Sequence, residues 1–456
     1  MMKTLSRQVA PSAGSAPTLT RRARIAPAPV GQPKVDPDSY VARPTAGRPR
    51  VLIVTPQPFY EDRGTPIAVR YVASALGALN VDVHLLAFPV GRDIGMKNVT
   101  IHRCANGLGI KQVPIGFSLR KLALDGGLWR SFSRLLASRR FDVVHAVEEA
   151  AYMATILCPP LGQRFIYDMA SAIPTELVRN SAIKSVLLRT PLEAMQRRVI
   201  HNASHVVCSA GLAGYVRVQD AEARVNEWQY PALSAAVSTQ EVESLRCQLQ
   251  ILPGQRVLLY TGSFADYQGL DLLLAAFARV SKLHPELVLV CVGASDEEHA
   301  RWSTPAPDRS FDGNVRIMPR QPRAQMPLYM ELADVLLLPR VGCQNVPLKL
   351  YDYMAAGKPI VATCQPGSNR ILNEQRAFLC DATAESLADA IARACSHPAQ
   401  ATWLASQALR YAEQHFGWRG FVEFVRHIYL QVIPPGEAHD QLQCAQISAL
   451  APGQLA

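Results

Sequence analysis

The sequence predicts an α/β protein of two doubly wound, Rossmann-like parallel-sheet domains that face each other across a cleft. Three observations carry that expectation. Continuous apolar runs of strand length alternate with stretches of helical spacing, the pattern of strands buried on both faces of a parallel sheet. The pattern begins at Arg50 and begins again at Arg256, where Arg256-Val257-Leu258-Leu259-Tyr260-Thr261 echoes Arg50-Val51-Leu52-Ile53-Val54-Thr55. A chain of 456 residues also exceeds what one hydrophobic core holds.

The elements follow in order. Val51–Val54 reads as a strand, and the loop Thr55–Ile67 carries Pro56, Pro58 and Arg63-Gly64-Thr65-Pro66. Helical spacing over 68–79 and a strand over 81–86 complete a βαβ unit. Strands at 141–145, 165–168 and 206–209 continue the first domain, 50–230, with a helix over 148–157. Between them, Gly116–Arg140 interleaves Phe117, Leu119, Leu122, Leu128, Trp129, Phe132, Leu135 and Leu136 with Arg120, Lys121, Arg130, Arg134, Arg139 and Arg140. A basic amphipathic helix of this kind either covers the sheet with a solvated basic face or rests on anionic lipid. The join falls near Gln229–Val237. The second domain, 231–410, has strands at 256–261, 287–292, 315–318, 335–338 and 359–363. Its helices are expected over 270–283, 322–332, 347–356 and 384–394. Aromatics at Tyr411, Phe416, Trp418, Phe421, Phe424 and Tyr429 give a last helical stretch, ending at 432. Residues 433–456 show no pattern and are expected to be a disordered tail.

Composition removes several classes. The chain is 49% hydrophobic and 18% charged, too apolar for a disordered protein. No apolar run approaches the roughly 20 residues that span a bilayer. The N-terminus is basic but has no apolar segment behind it, so no secretory signal is expected. Ten cysteines without a Cys-x-x-Cys pair fit reduced thiols better than disulfides or a zinc site. Of the net charge of +10, the first 50 residues supply +7 and the remaining 406 only +3. Residues 1–49 therefore read as a disordered basic tail, and nucleic acid is not an expected partner. A cytoplasmic location is expected, with peripheral contact at the inner face of an anionic membrane as the alternative.

In two facing open α/β domains, ligands gather beyond the carboxyl ends of the strands. The most specific stretch lies there: Asn345-Val346-Pro347-Leu348-Lys349-Leu350-Tyr351-Asp352-Tyr353-Met354-Ala355-Ala356-Gly357-Lys358-Pro359. Pro347 suits the first turn of a helix and Gly357 its C-cap. The helix N-terminus offers N–H groups and positive dipole to an anion such as a diphosphate. Lys349 adds a point charge, and the Asp352 carboxylate can accept two hydrogen bonds from a ribose diol. The same two residues equally fit an ordinary exposed pair at i,i+3.

This stretch resembles the donor-site region of the retaining glycosyltransferases of family 4, which have the GT-B fold. The family's signature is two glutamates separated by seven residues, the second opening Glu-Ala-Met-Ala-x-Gly. Asp352 stands at the second position, and Gln344 puts an amide at the first. Pro-Leu-Lys-Leu-Tyr-Asp-Tyr-Met looks like one subgroup of the family, and the likeness covers most of residues 50–432. Thr261-Gly262-Ser263-Phe264 through Gln268-Gly269-Leu270-Asp271 is similar to the first strand and loop of the nucleotide domain. Tyr267-Gln268 replaces the usual basic residue before the second glycine. The resemblance implies donor contacts from Gln344, Asn345, Val346, Pro347, Leu348, Lys349 and Asp352, with diphosphate charge met by Lys349, the N–H groups of Gly262 and Ser263, and Arg340. Arg63-Gly64-Thr65-Pro66 resembles the loop of the opposite wall, adding Gly64 and Thr65. Asp142-Val143-Val144-His145-Ala146-Val147-Glu148-Glu149 looks like the strand end that carries a catalytic-site histidine. His145 matches the first of two family histidines and Val147 replaces the second. His145 and Glu148 are thus the catalytic candidates, although a lone histidine at a strand end is more often a packed core residue. Tyr167-Asp168-Met169-Ala170-Ser171 marks the next strand end and is expected to line the acceptor pocket. Residues 411–432 resemble the helix that crosses back to the first domain.

A nucleoside-diphosphate sugar brings its own leaving group, so N–H groups, a helix N-terminus and a cation are the required equipment and no metal or other cofactor is expected. The resemblance implies a hexosyltransferase acting with retention on a glycan, lipid-linked or small-molecule acceptor. Gln344, Val147 and the missing loop cation keep a second expectation open, a catalytically inactive relative that binds nucleotide or sugar. A dinucleotide oxidoreductase would need Gly-x-Gly-x-x-Gly after a strand, and neither domain opens with it.

Overall fold

In the first sheet, strands β1 (Arg50–Thr55), β2 (Asp82–Ala87), β3 (Val99–Arg103), β4 (Val143–Val147), β5 (Phe165–Met169), β6 (His205–Cys208) and β7 (Val225–Glu227) lie in the order β3-β2-β1-β4-β5-β6-β7. All neighbours are parallel. A computed structural model describes residues 47–447 except 108, 111–112, 114–118, 175–185, 233–235 and 304–312. The basic tail expected over 1–49 lies outside the described residues up to position 46.

The second sheet holds β8 (Arg256–Thr261), β9 (Leu287–Ala294), β10 (Val315–Pro319), β11 (Val335–Leu338), β12 (Ile360–Thr363) and β13 (Phe378–Cys380). Their order is β10-β9-β8-β11-β12-β13, again parallel throughout. The continuous apolar runs have the meaning the pattern predicts, because successive side chains in a strand point to opposite faces. In β1, Val51 and Ile53 join one apolar cluster while Leu52 and Val54 join another. In β8, Val257 and Leu259 face one cluster, and Leu258 and Tyr260 the other. The strands that the pattern does not reveal, β3, β7 and β13, all lie at a sheet edge. β3 and β7 have partly exposed polar residues and no continuous run.

Helices cover both faces. Helix Leu119–Ser138 turns Leu124, Leu128 and Phe132 into the core and leaves Arg130 and Arg134 exposed, as are Arg139 and Arg140 just after it. Its apolar stripe therefore covers the sheet. Helix Thr239–Gln248, not marked by apolar spacing, is announced by chemistry: Ser238 and Glu241 form a reciprocal capping box.

Two expectations at the C-terminus are corrected. The helix expected over 411–432 is broken at Phe416-Gly417. Residues up to His415 complete helix Pro398–His415 of the second domain, and a new helix, Trp418–Val432, packs on helix Gly64–Ala78 of the first. Extended Gly417 lets the chain change direction there. The patternless tail expected from 433 contains helix Glu437–Cys444, whose Ala438 and Leu442 are buried against the preceding helix. Two apolar contacts suffice for a short helix once a partner surface exists, and too few residues are involved to show a period.

The core runs without interruption from one domain to the other through Trp228, Tyr230, Tyr351, Phe416 and Phe421. Ring centroids step from Trp228 to Tyr230 (5.6 Å), Tyr230 to Tyr351 (6.1 Å) and Tyr351 to Phe416 (4.7 Å).

At the outer edge of the first sheet, His84 Nδ1 and His102 Nε2 lie 2.8 Å apart and their rings stack at 5.1 Å. Such a contact needs one ring nitrogen to donate and the other to accept. Burial pushes both rings below the ordinary histidine pKa, with Arg139 adding to the effect at each and Asp82 only partly opposing it at His84. The unfolded chain then binds protons that the fold refuses, so stability is present above the ordinary value and lost as pH falls through it. The thermal midpoint is expected to fall between about pH 7.5 and pH 5.5, and His84→Leu should flatten that fall. A calorimetric midpoint with the same pH slope in both proteins would contradict the assignment.

Candidate functional site

The direction of strand addition reverses between β1 and β4 in one sheet and between β8 and β11 in the other. Crevices open at such switch points, beyond the carboxyl ends of the strands. In the first domain those ends lead to the loop before Gly64 and to Glu148. In the second they lead to Thr261-Gly262-Ser263 and Pro339-Arg340.

The second-domain half is built around helix Leu348–Ala355. Its first turn has no acidic residue, and extended Pro347 caps it without a side-chain hydrogen bond. Lys349, half-buried, donates from Nζ to the Thr261 carbonyl at 2.7 Å and stands 4.3 Å over the Tyr260 ring. Gly262 is required beside it: at φ +135° a Cβ would sit 2.7 Å from Lys349 Nζ. Tyr260 donates to the Ser263 carbonyl at 2.6 Å, and the Thr261 N–H donates to the Tyr353 hydroxyl at 2.9 Å, so the loop is fixed at both ends. Burial pushes the Lys349 ammonium well below its usual pKa, and neighbouring Arg340 pushes the same way. Arg340 is buried and donates to Asn345 twice, to the carbonyl at 2.8 Å and to Oδ1 at 3.1 Å. Its Nε finds no acceptor among the described residues. Tyr267, in the place of the expected loop cation, lies under the Arg340 guanidinium at 5.8 Å, so a cation reaches that spot from another strand. Of the remaining expected residues, Gln344 is exposed, Val346 is buried, and Asn345, Pro347 and Leu348 are half-buried.

Asp352 is not where the sequence places it. It is 3% exposed, and both carboxylate oxygens face Arg323 Nη2, at 3.1 and 3.0 Å. The same nitrogen donates to the Tyr71 hydroxyl at 2.5 Å, across the domain boundary. Burial works against the Arg323 charge, but Asp352 and Tyr71 outweigh it and hold its pKa above the ordinary value. The expected wet ribose acceptor is thus one member of a buried interdomain ion pair, and the i,i+3 pair with Lys349 is not formed. Arg323 follows a plain Gln321-Pro322 turn, and no local signal marks it.

In the first-domain half, exposed Gly64 opens helix Gly64–Ala78, with Thr65 half-buried behind it and open space where a Cβ would stand. Neighbouring Arg63 donates to Gln57 Oε1 at 2.9 Å, and burial lowers its pKa. Glu61 opposes that shift, while Arg320 of the second domain adds to it. Glu148 is 7% exposed and left-handed at φ +50°, directly after β4. A glutamate in that conformation is strained, a feature that concentrates at functional sites. Its amide donates to the Asp168 carbonyl at 2.9 Å, and Ser171 Oγ reaches its carboxylate at 3.5 Å.

His145 is corrected. It is 1% exposed, with Nε2 3.2 Å from Asp168 and Nδ1 2.9 Å from the Tyr429 hydroxyl on the last long helix. Both ring nitrogens are occupied by structure, the plainer of its two readings. Of the segment expected to line a pocket, Tyr167, Asp168 and Met169 are likewise buried, with Asp168 accepting from Trp228 Nε1 at 2.7 Å, while Ala170 and Ser171 are half-buried. Among the described residues no cluster of three or more His, Cys, Asp or Glu could hold a metal ion.

Removing one partner of a buried pair strands the other charge, at about 3–5 kcal/mol. Asp352→Ala is therefore expected to lower the unfolding free energy by about that amount in urea titrations, and the double variant Asp352→Leu/Arg323→Met by less. Equal losses in the two proteins would show that the pair is not the buried charge partner described.

The family described as "Glycosyl transferases group 1" matches residues 255–397, which span this second-domain half. A phosphatidyl-myo-inositol mannosyltransferase of Mycobacterium leprae is 24% identical over 71% of this chain and 81% of its own length. Sucrose-phosphate synthase from Thermosynechococcus elongatus superposes with a TM-score of 0.67 at 18% identity, over 84% of this chain and 99% of that one. Anabaena HepE, solved with UDP and glucose, gives 0.64 at 16% identity, over 84% and 99%. Two parallel sheets with switch points opposed across a cleft are the architecture these solved structures share with it. The chain has the GT-B fold, and its residues 255–397 match the group 1 glycosyltransferases.

Proposed function

We propose that this glycosyltransferase moves a hexosyl group from a nucleoside-diphosphate sugar, held mainly by the second domain, to an acceptor hydroxyl entering along the first, with retention and without a metal. The observation that carries the reading is Lys349, anchored on the Thr261 carbonyl beside Gly262 at the start of a helix without a side-chain cap. A diphosphate seated there meets an ammonium, the N–H groups of the Gly262-Ser263 loop and a helix N-terminus, all fixed before it arrives. Charge on the leaving phosphate grows in the transition state, so the same groups bind that state more tightly than the donor. Arg340 backs the site through Asn345, and Gly64 with Thr65 faces it from the other wall. Glu148, a strained carboxylate at the first domain's switch point, is the group proposed to orient the acceptor hydroxyl. Asp352 acts here as the anchor of Arg323.

The named activity of the mycobacterial relative and the UDP and glucose in HepE make mannosyl and UDP-glucose donors the first to screen. Donors that raise the thermal midpoint should then release nucleotide when acceptor is present. Lys349→Ala is expected to lower kcat/KM by about a hundredfold, as loss of one preorganised donor does. Because the free ammonium has a lowered pKa and a bound diphosphate raises it, binding takes up a proton, and donor affinity falls as pH rises through the free value. Calorimetry in two buffers of different ionisation heat measures that uptake. A variant that binds and turns over donor like the parent would displace the site.

A lipid-linked acceptor would bring the enzyme to a bilayer, and no helix among the described residues is long and apolar enough to cross one. With its apolar stripe turned inward, helix Leu119–Ser138 and the two residues after it offer exposed Arg130, Arg134, Arg139 and Arg140 together with Leu122, which is 55% exposed. The contact proposed is electrostatic, at about 1 kcal/mol for each basic residue at an anionic surface. Alanine at the four arginines should abolish co-sedimentation with phosphatidylserine vesicles at low salt. Binding that persists in that variant would place the contact elsewhere.

A further inference from the structure

The loop 343–347, which carries Gln344 and Asn345 and leads into the Lys349 helix, is held from two sides by glycines. Gly367 lies on the second-domain side, where a Cβ would stand 2.4 Å from the Asn345 carbonyl oxygen and 2.7 Å from that of Gln344. Gly211 lies on the other side and belongs to the first domain. At φ +103° its Cβ would stand 2.4 Å from the same Gln344 oxygen and 3.7 Å from Arg370 Cδ. No side chain fits at either position without pushing the loop aside.

Glu227, the last residue of β7, sets the first-domain jaw of this clamp. Its Oε1 accepts from the N–H groups of Gly211 at 3.0 Å and Ala213 at 3.2 Å, which fixes the turn that presents Gly211. Its Oε2 meets Arg370 Nη2 of the second domain at 3.2 Å. Arg370 closes the short helical turn Ser368–Arg370, which follows Gly367 directly. The ion pair thus joins the two jaws on either side of one loop. Within its own domain the loop is tied by the Cys343 N–H to Gln365 Oε1 at 3.0 Å, and by Arg340 to Asn345.

We propose that Glu227 and Arg370 are positioning residues: by drawing Gly211 onto the Gln344 carbonyl, they hold the 343–347 loop in register with the Lys349 helix. The inference rests on the assignment of that loop to donor binding and adds to it that the first domain shapes the donor site. The pair is suited to this task and poorly suited to holding the fold. The Arg370 side chain is 51% exposed and that of Glu227 21%, and solvent-exposed ion pairs contribute little to stability.

The test compares Arg370→Ala, Arg370→Lys and Gly211→Ala in the full chain, by hydrogen exchange at the Cys343 amide and by donor KM. Arg370→Ala should speed Cys343 exchange and raise donor KM by about fivefold, with kcat changed less and the thermal midpoint unmoved. Arg370→Lys, which keeps the charge, should restore both readouts, and Gly211→Ala should reproduce the Arg370→Ala effect. Unchanged exchange in Arg370→Ala and Gly211→Ala overturns the clamp. So does a KM rise that the lysine fails to rescue and that comes with a lower thermal midpoint, since it marks a structural role alone. Exchange reads the clamp whether or not a donor has been found. A parent protein that releases no nucleotide from any donor therefore fails the functional reading separately.

Discussion

Asp168, 3% exposed, brings together three segments that are far apart in the chain. Its carboxylate accepts from Trp228 Nε1 at 2.7 Å and faces His145 Nε2 at 3.2 Å, while His145 meets the Tyr429 hydroxyl at 2.9 Å. A carboxylate in so dry a place is tolerable only while its partners stay in place, because an unpaired buried charge is far costlier than an unpaired polar group. The consequence spreads outward. Trp228 is held with its ring against Tyr230, Phe421 and Phe424, and its carbonyl accepts from the Tyr351 hydroxyl at 3.3 Å. Tyr351 lies on the helix that carries Lys349 and Asp352. A polar contact within the first domain therefore helps to orient the Lys349 helix of the second.

Around this seam, three of the contacts between the domains differ in physical character. The aromatic core is apolar and non-directional and contributes by area. The Tyr71–Arg323–Asp352 set is a buried charge pair with a shared hydroxyl, and it ties one first-domain residue to two of the second. The Glu227–Arg370 pair at the rim is half-wet and adjustable.

The folded part carries little net charge by sequence, yet some of its partly buried cations have like-charged neighbours. Arg63 stands near Arg320 and Lys349 near Arg340, and each like-charge neighbour adds to burial in pushing Arg63 and Lys349 below their usual pKa values. Like charges held together in this way are costly, and an anion placed between them would offset that cost.

The amphipathic and apolar periods of the chain determined the class of fold, the two-domain division and the strands at the centre of each sheet, because a strand buried on both faces must be continuously apolar. Gly262 and Lys349 were legible as site candidates, since a glycine at close approach and a cation at a helix start are local requirements, whereas nothing within the protein requires a glycine at Gly64. Edge strands β3 and β7 escaped because a half-exposed strand carries no such run. Whether His145 and Asp352 work on a ligand or on the protein was decided only by the tertiary structure. Each is a polar residue at a strand end or in a helix, and its role depends on what arrives from elsewhere: Tyr429 from 284 positions away for His145, and Arg323 from 29 for Asp352. Local sequence dictates which side chains are offered, and the long-range packing of two domains dictates which of them remain in contact with water.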